Sequence, residues 1–277
     1  MMKVDSHQHF WLYNAQEYDW IGEEEQVIRK NFLPADLAPT LRNSNIDKCI
    51  AVQARQTIQE TQWLLALASA HDIIAGVVGW IDLKADDLSE QIDHYQKNSY
   101  LKGFRHVLQG EPDPNYMLAA DFIRGLKILE AKNLSYDLLI FAKQLPESVK
   151  LLAQLPDLAV VVDHIAKPDI ANHSDFIAWQ KGITKLASFP NVMCKVSGMV
   201  TEADVNLWRE SDFTRYLDTV FNAFGPDRVM FGSDWPVCLL GGEYQVIKAI
   251  VENFVLQHYP NHIDQVFGGN AVQFYKL

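Results

Sequence analysis

Eight short β-rich runs, at residues 3–9, 47–53, 74–82, 101–107, 135–141, 158–164, 191–197 and 228–234, alternate with longer stretches of helical periodicity. That alternation is the pattern of parallel βαβ units, since a parallel strand must be followed by a crossover before the chain can lay down the next one. Eight such units close a (β/α)8 TIM barrel, an α/β fold, and 277 residues suit a fold that typically takes ~250. No Ser/Gly linker, low-complexity stretch, break in composition or solenoid-length repeat divides the chain, so residues 1–277 read as a single domain.

Local signals agree with this frame. In TIQETQWLLALASAHD, Thr57 and Glu60 have capping-box spacing and the leucines recur at helical intervals. Pro34, Pro146, Pro190 and Gly225 fall where helices should begin or end. The first strand is followed by FWLYNAQEYDWIGEEE, an aromatic-rich segment with neither helical nor strand periodicity, which in a barrel would lie over the catalytic mouth.

Composition narrows the partners. With 24 basic and 35 acidic residues the net charge is -11, which repels nucleic-acid backbones, and no apolar run is long enough to span a bilayer. The opening MMKVDSHQHFW has no signal-peptide pattern, so the expected location is cytoplasmic, with a small-molecule substrate as partner. Cys49, Cys194 and Cys238 are far apart with no CxxC pair, as in reduced, packed thiols. The sequence leaves self-association into a homo-oligomer open.

Barrel enzymes carry their reactive groups at the carboxyl ends of the strands. Run 1 ends in His7-Gln8-His9, and the two-residue period of a strand points both imidazoles the same way. Run 6, VVVDHIAKP, breaks from apolar residues into Asp163 and His164, and run 8, VMFGSDWP, into Asp234. Runs 1 and 8 become neighbours when a barrel closes. His7, His9, His164 and Asp234 should therefore converge, in a set that suits Zn²⁺ or a similar ion, the alternative being buried, hydrogen-bonded histidines in a structural barrel. Gln53, Arg55, Arg105, His106, Lys167 and Lys195 lie near other strand ends and read as substrate contacts; for Arg105 and Lys195 an ion pair bracing the barrel is an equal alternative. Trp11, Trp20, Trp80 and Trp235 either wall a pocket or simply pack, with Trp235 the one assigned to substrate.

The opening DSHQHFW, the segments YDWI and KGFRHVLQ, DHxxKP after run 6, GSDWP at run 8 and the ending FGGNAVQFY together resemble the amidohydrolase superfamily. Within it they are most similar to the sugar-lactonase branch, related to the pyrone-dicarboxylate lactonases. The resemblance covers nearly the whole chain. It implies hydrolysis of an aldonolactone, an active centre of His7, His9, His164 and Asp234, and Arg105 and His106 near the substrate. The chain departs from the wider superfamily in having no Lys or Glu at the end of run 4 or 5 to bridge two metals, which points to one divalent ion, Zn²⁺, or to a metal-free site. On this reading Asp234 is the general base and His164 belongs to the cluster that polarises the carbonyl. Two other functions remain open: a metal-dependent decarboxylase, in which Arg55, Arg105, Lys167 and Lys195 would clamp an acid, and a non-catalytic barrel binding a sugar or a partner protein.

Overall fold

The computed structural model describes all 277 residues. Eight parallel strands form one sheet in chain order: β1 Val4–Gln8, β2 Lys48–Val52, β3 Ile74–Gly79, β4 Leu101–Val107, β5 Ser135–Leu139, β6 Val160–Val162, β7 Val192–Val196 and β8 Val229–Phe231. Each lies within one of the eight runs read from sequence, and the sheet curls into a (β/α)8 barrel. Helices α1 Pro34–Asn43, α2 Ile58–Ala70, α3 Leu88–Tyr95, α4 Ala120–Ala131, α5 Leu145–Leu152, α6 Phe176–Ala187, α7 Glu210–Phe224 and α8 Tyr244–His258 follow the strands, and α9 Asn270–Tyr275 ends the chain.

The punctuation works as its chemistry requires. Pro34 opens α1 and Pro146 sits in the first turn of α5, where a missing N–H costs nothing, while Gly225 leaves α7 at φ +72°. The Thr57 hydroxyl caps α2 by accepting from the Glu60 N–H at 3.3 Å. The Glu60 carboxylate does not complete a capping box. It accepts instead from the N–H groups of Ala54 and Arg55, fixing the turn that leaves β2.

Two apolar layers bracket the sheet. The larger core lies where the helices pack on the outer faces of the strands, which is why β6 is wholly apolar and buried. A smaller cluster of Val4, Ile50, Val52, Val78, Val161 and Met230 fills the lower lumen, closed by Ala271 and Tyr275 of α9. Register partners share a face, so the pairings Arg105 with Asp137, Asp137 with Val161 and Lys195 with Met230 put those polar groups in the same lumen.

The closing seam between β8 and β1 has no strand ladder and is held by other means. Asp5 Oδ1 accepts from the N–H of Ser233 (2.8 Å) and of His7 (3.2 Å), while Tyr244 donates to Oδ2 (3.0 Å). Ser6 donates to the Phe231 carbonyl, the Asp234 N–H to the His7 carbonyl and the His9 N–H to the Trp235 carbonyl. Asp5 is fully buried, and that burial raises its carboxyl to about 6. Replacing Asp5 by Ala orphans two buried N–H groups, so the variant should lose roughly 2–5 kcal/mol of stability in a urea titration. An unchanged midpoint would remove Asp5 as the closure of the seam.

Candidate active site

The carboxyl ends of the strands surround a cavity of about 560 Å³ lined by His9, Arg105, His164 and Asp234 on its floor. Gln16, Glu17, Asp19 and Trp20, from the long segment after β1, line it too, so that segment does lie over the mouth. The segment is pinned by reciprocal backbone bonds between Trp11 and Phe32, both 2.9 Å, and by the Trp11 indole N–H on the Lys30 carbonyl at 2.8 Å.

Asp234 is the convergence point. Its Oδ1 lies 3.3 Å from His9 Nε2, 3.8 Å from His7 Nε2 and 3.9 Å from His164 Nε2. Burial would raise this carboxyl, but the imidazoles, His164 foremost, hold it well below the usual carboxylate range. In return burial lowers His164 to about 4, against the pull of Asp234. The four residues picked from strand ends are therefore brought into one volume.

The backbone at this point is unusual. Asp234 sits at φ +59°, and His164, Ile165, Ala166 and Lys167 occupy the left-handed region consecutively, with φ between 46° and 61°. Each such residue costs ~1–3 kcal/mol, which the surrounding packing must offset. Gly198, itself at φ +60°, makes room: a Cβ there would lie 2.5 Å from His164 Nδ1. Gly232 does the same for His7, whose Cβ would be 2.6 Å from an added Cβ.

His9 bears on the metal. Its Nδ1 lies 2.8 Å from the Val52 carbonyl, which can only accept, so Nδ1 carries a proton, and in the neutral ring Nε2 presents a lone pair to Asp234. Two acceptors 3.3 Å apart require a proton or a cation between them. Donor atoms of His7, His9 and Asp234 lie within 4.8 Å of one another, as do those of His7, Asp163 and His164. The quartet expected from sequence thus falls into two overlapping triads, and Asp163 enters as a donor that had not been assigned. Its carboxylate is already engaged by Arg105 at 3.1 Å and Lys195 at 3.0 Å, so the first triad fits a divalent ion better.

Four expected substrate contacts do not line the cavity. Lys195 is fully buried beneath it, with Nζ 2.5 Å from Asp137, 3.0 Å from Asp163 and 3.1 Å from His7 Nδ1. Gln53 is turned inward to accept from Arg105. His106 is bonded to Glu111 at 2.7 Å and stacked on Tyr116. Trp235 packs against Phe10 and Phe32. Arg105 does line the cavity, but its guanidinium donors are engaged by Gln53, Asp163 and His7, so it offers a fixed positive charge rather than free donors. Asp137, buried mid-strand in β5, was missed; its only signal was a carboxylate inside the apolar run YDLLI.

A parallel barrel with a buried His and Asp centre at the carboxyl ends of its strands is the build of a barrel enzyme. The comparisons give that class a family. Residues 4–277 match the family described as Amidohydrolase, and the chain belongs to it. It is 40% identical over 289 residues to an L-fucono-1,5-lactonase of Burkholderia multivorans, across 100% of this chain and 96% of that one. It is 34% identical to an L-fucono-1,5-lactonase of Burkholderia ambifaria, across 99% and 96%. A crystal structure of an amidohydrolase from Burkholderia multivorans with bound zinc superposes over both full chains with a TM-score of 0.96 at 40% identity.

Proposed function

We infer that this protein hydrolyses the ring ester of a sugar lactone to the open aldonic acid. The observation that carries the reading is the ionised Asp234 carboxylate on the floor of a polar, water-accessible cavity, beside the fixed charge of Arg105. The full-length likeness to two L-fucono-1,5-lactonases supports the same chemistry.

The lactone carbonyl lies over Arg105 and the imidazoles, with a water against Asp234. As the water oxygen bonds to the carbonyl carbon its protons become acidic, so even a weak base such as Asp234 takes one. Arg105 stabilises the charge growing on the carbonyl oxygen. The ring C–O bond then breaks, and the proton held by Asp234 passes to the departing oxygen. His7, His9 and Asp234 would hold a divalent ion such as zinc, which when bound supplies a Lewis acid for the carbonyl and lowers the pKa of water.

The decarboxylase alternative needs free cations to clamp an acid. Arg55 is paired with Glu17 at 3.1 Å, Lys167 with Glu202 at 3.3 Å and Arg105 with Asp163 at 3.1 Å, and Lys195 is outside the cavity, so none of the four is an unpaired cation in it. A screen of aldonolactones in a weakly buffered indicator assay tests the reading, because each ring opened releases a proton. Absence of turnover across the panel by folded, zinc-supplied protein would overturn it.

The pH profile follows from the same groups. Asp234 is held below the usual carboxylate range and burial keeps His164 neutral until about pH 4. kcat/KM should therefore be flat between pH 5 and 8 and fall only as His164 gains its proton near pH 4. Loss of kcat/KM as pH rises through the ordinary histidine value, ~6.5, would show instead that an imidazole works protonated.

A further inference from the structure

Of the four tryptophans near the mouth, packing accounts for Trp11 and Trp235, which are buried, and Trp80 does not line the cavity. Trp20 does line it, and is 44% exposed. The exposure is built in. The neighbours Tyr18 and Ile21 are buried, and Trp20 itself stands edge-to-face on the ring of Trp11 at 5.7 Å. Arg55 fastens the same stretch to the end of β2, lying over the Tyr18 ring at 5.3 Å while pairing with Glu17. The chain thus holds a large apolar ring at the edge of a polar cavity rather than letting it fold into the core.

A second observation lies in the same cavity. Gln109, just past β4, lines it, and its Oε1 is buried with no hydrogen-bond partner. An unmet acceptor of this kind is destabilising until a donor reaches it. An apolar plate and an unmet acceptor in one cavity suit a ligand with both C–H faces and hydroxyl donors, which is the character of a sugar carbon chain.

We propose that Trp20 is the platform on which the C–H face of the sugar lactone rests, while Gln109 Oε1 accepts from one of its hydroxyls. The two side chains set affinity, and Asp234 does the chemistry. The proposal rests on the lactonase reading above.

The test compares wild type with Trp20→Ala, Trp20→Phe and Gln109→Leu on the best six-carbon aldonolactone of the panel. Binding of the corresponding aldonate product is followed by tryptophan fluorescence. Trp20→Ala should raise KM by about two- to twelvefold, the range of an aromatic contact of ~0.5–1.5 kcal/mol, with kcat within about twofold. Trp20→Phe should keep most of the affinity while losing the Trp20 part of the fluorescence change, and Gln109→Leu should raise KM alone. An unmoved KM in Trp20→Ala, or an effect confined to kcat, overturns the platform while leaving the lactonase reading standing. A wild-type enzyme that opens no sugar lactone overturns both.

Discussion

Asp234→Asn should lower kcat/KM on a sugar lactone by at least ~10²-fold, the lower end of what a positioned base contributes, with the protein still folded. Asn preserves the shape and can still accept through its amide oxygen, but it cannot take a proton from water. It also removes the negative charge to which the imidazoles of His7, His9 and His164 are turned, all with Nε2 within 4 Å of Oδ1. The effect should fall on kcat rather than KM, because the base acts on the reacting water and not on the sugar. Thermal melting alongside the kinetics separates this from misfolding. A variant with near-normal turnover would move the base elsewhere, and Asp163 is too firmly held by Arg105 and Lys195 to take its place.

The barrel was legible because its signal is repeated. Eight runs with crossovers between them admit few folds, and an error of a few residues at each boundary changes nothing. His7, His9, His164 and Asp234 were legible for a related reason: each lies where an apolar run ends, and barrel topology carries strand ends to one place. For Lys195 the sequence left two roles open, substrate contact and an ion pair bracing the barrel, and could not choose between them. Its position in β7 says that it faces the lumen, but only the register with Met230 and the depth of burial say that it lies under the cavity and not beside it. The left-handed stretch from His164 to Lys167 left no trace either, since no glycine marks it. Asp5, which closes the barrel, looked like an ordinary residue ahead of the HxH pair.

The buried ion pairs of Lys195 lead to the second large effect. Lys195→Met should destabilise the protein by roughly 3–5 kcal/mol, the cost of removing one partner from a buried ion pair, and should abolish activity where the protein still folds. The reason is the local charge. Asp137 and Asp163 lie in the lumen with Arg105 and Lys195 as their cations, and Tyr275 donates to Asp137 at 2.9 Å. Asp163 is held well below its ordinary value mainly by Lys195, whereas burial raises Asp137 to about 6. Without the ammonium, two carboxylates face each other out of water and Asp137 must take up a proton. His7 then loses the group 3.1 Å from its Nδ1 that fixes its ring beside Asp234. The double variant Lys195→Met with Asp137→Asn removes one charge of each sign and should recover part of the lost stability, but not the activity. A substrate-contacting Lys195 predicts the reverse: stability near wild type and a raised KM. Urea titration of the single and double variants decides between them, because a contact that faces the cavity has no buried partner to leave behind.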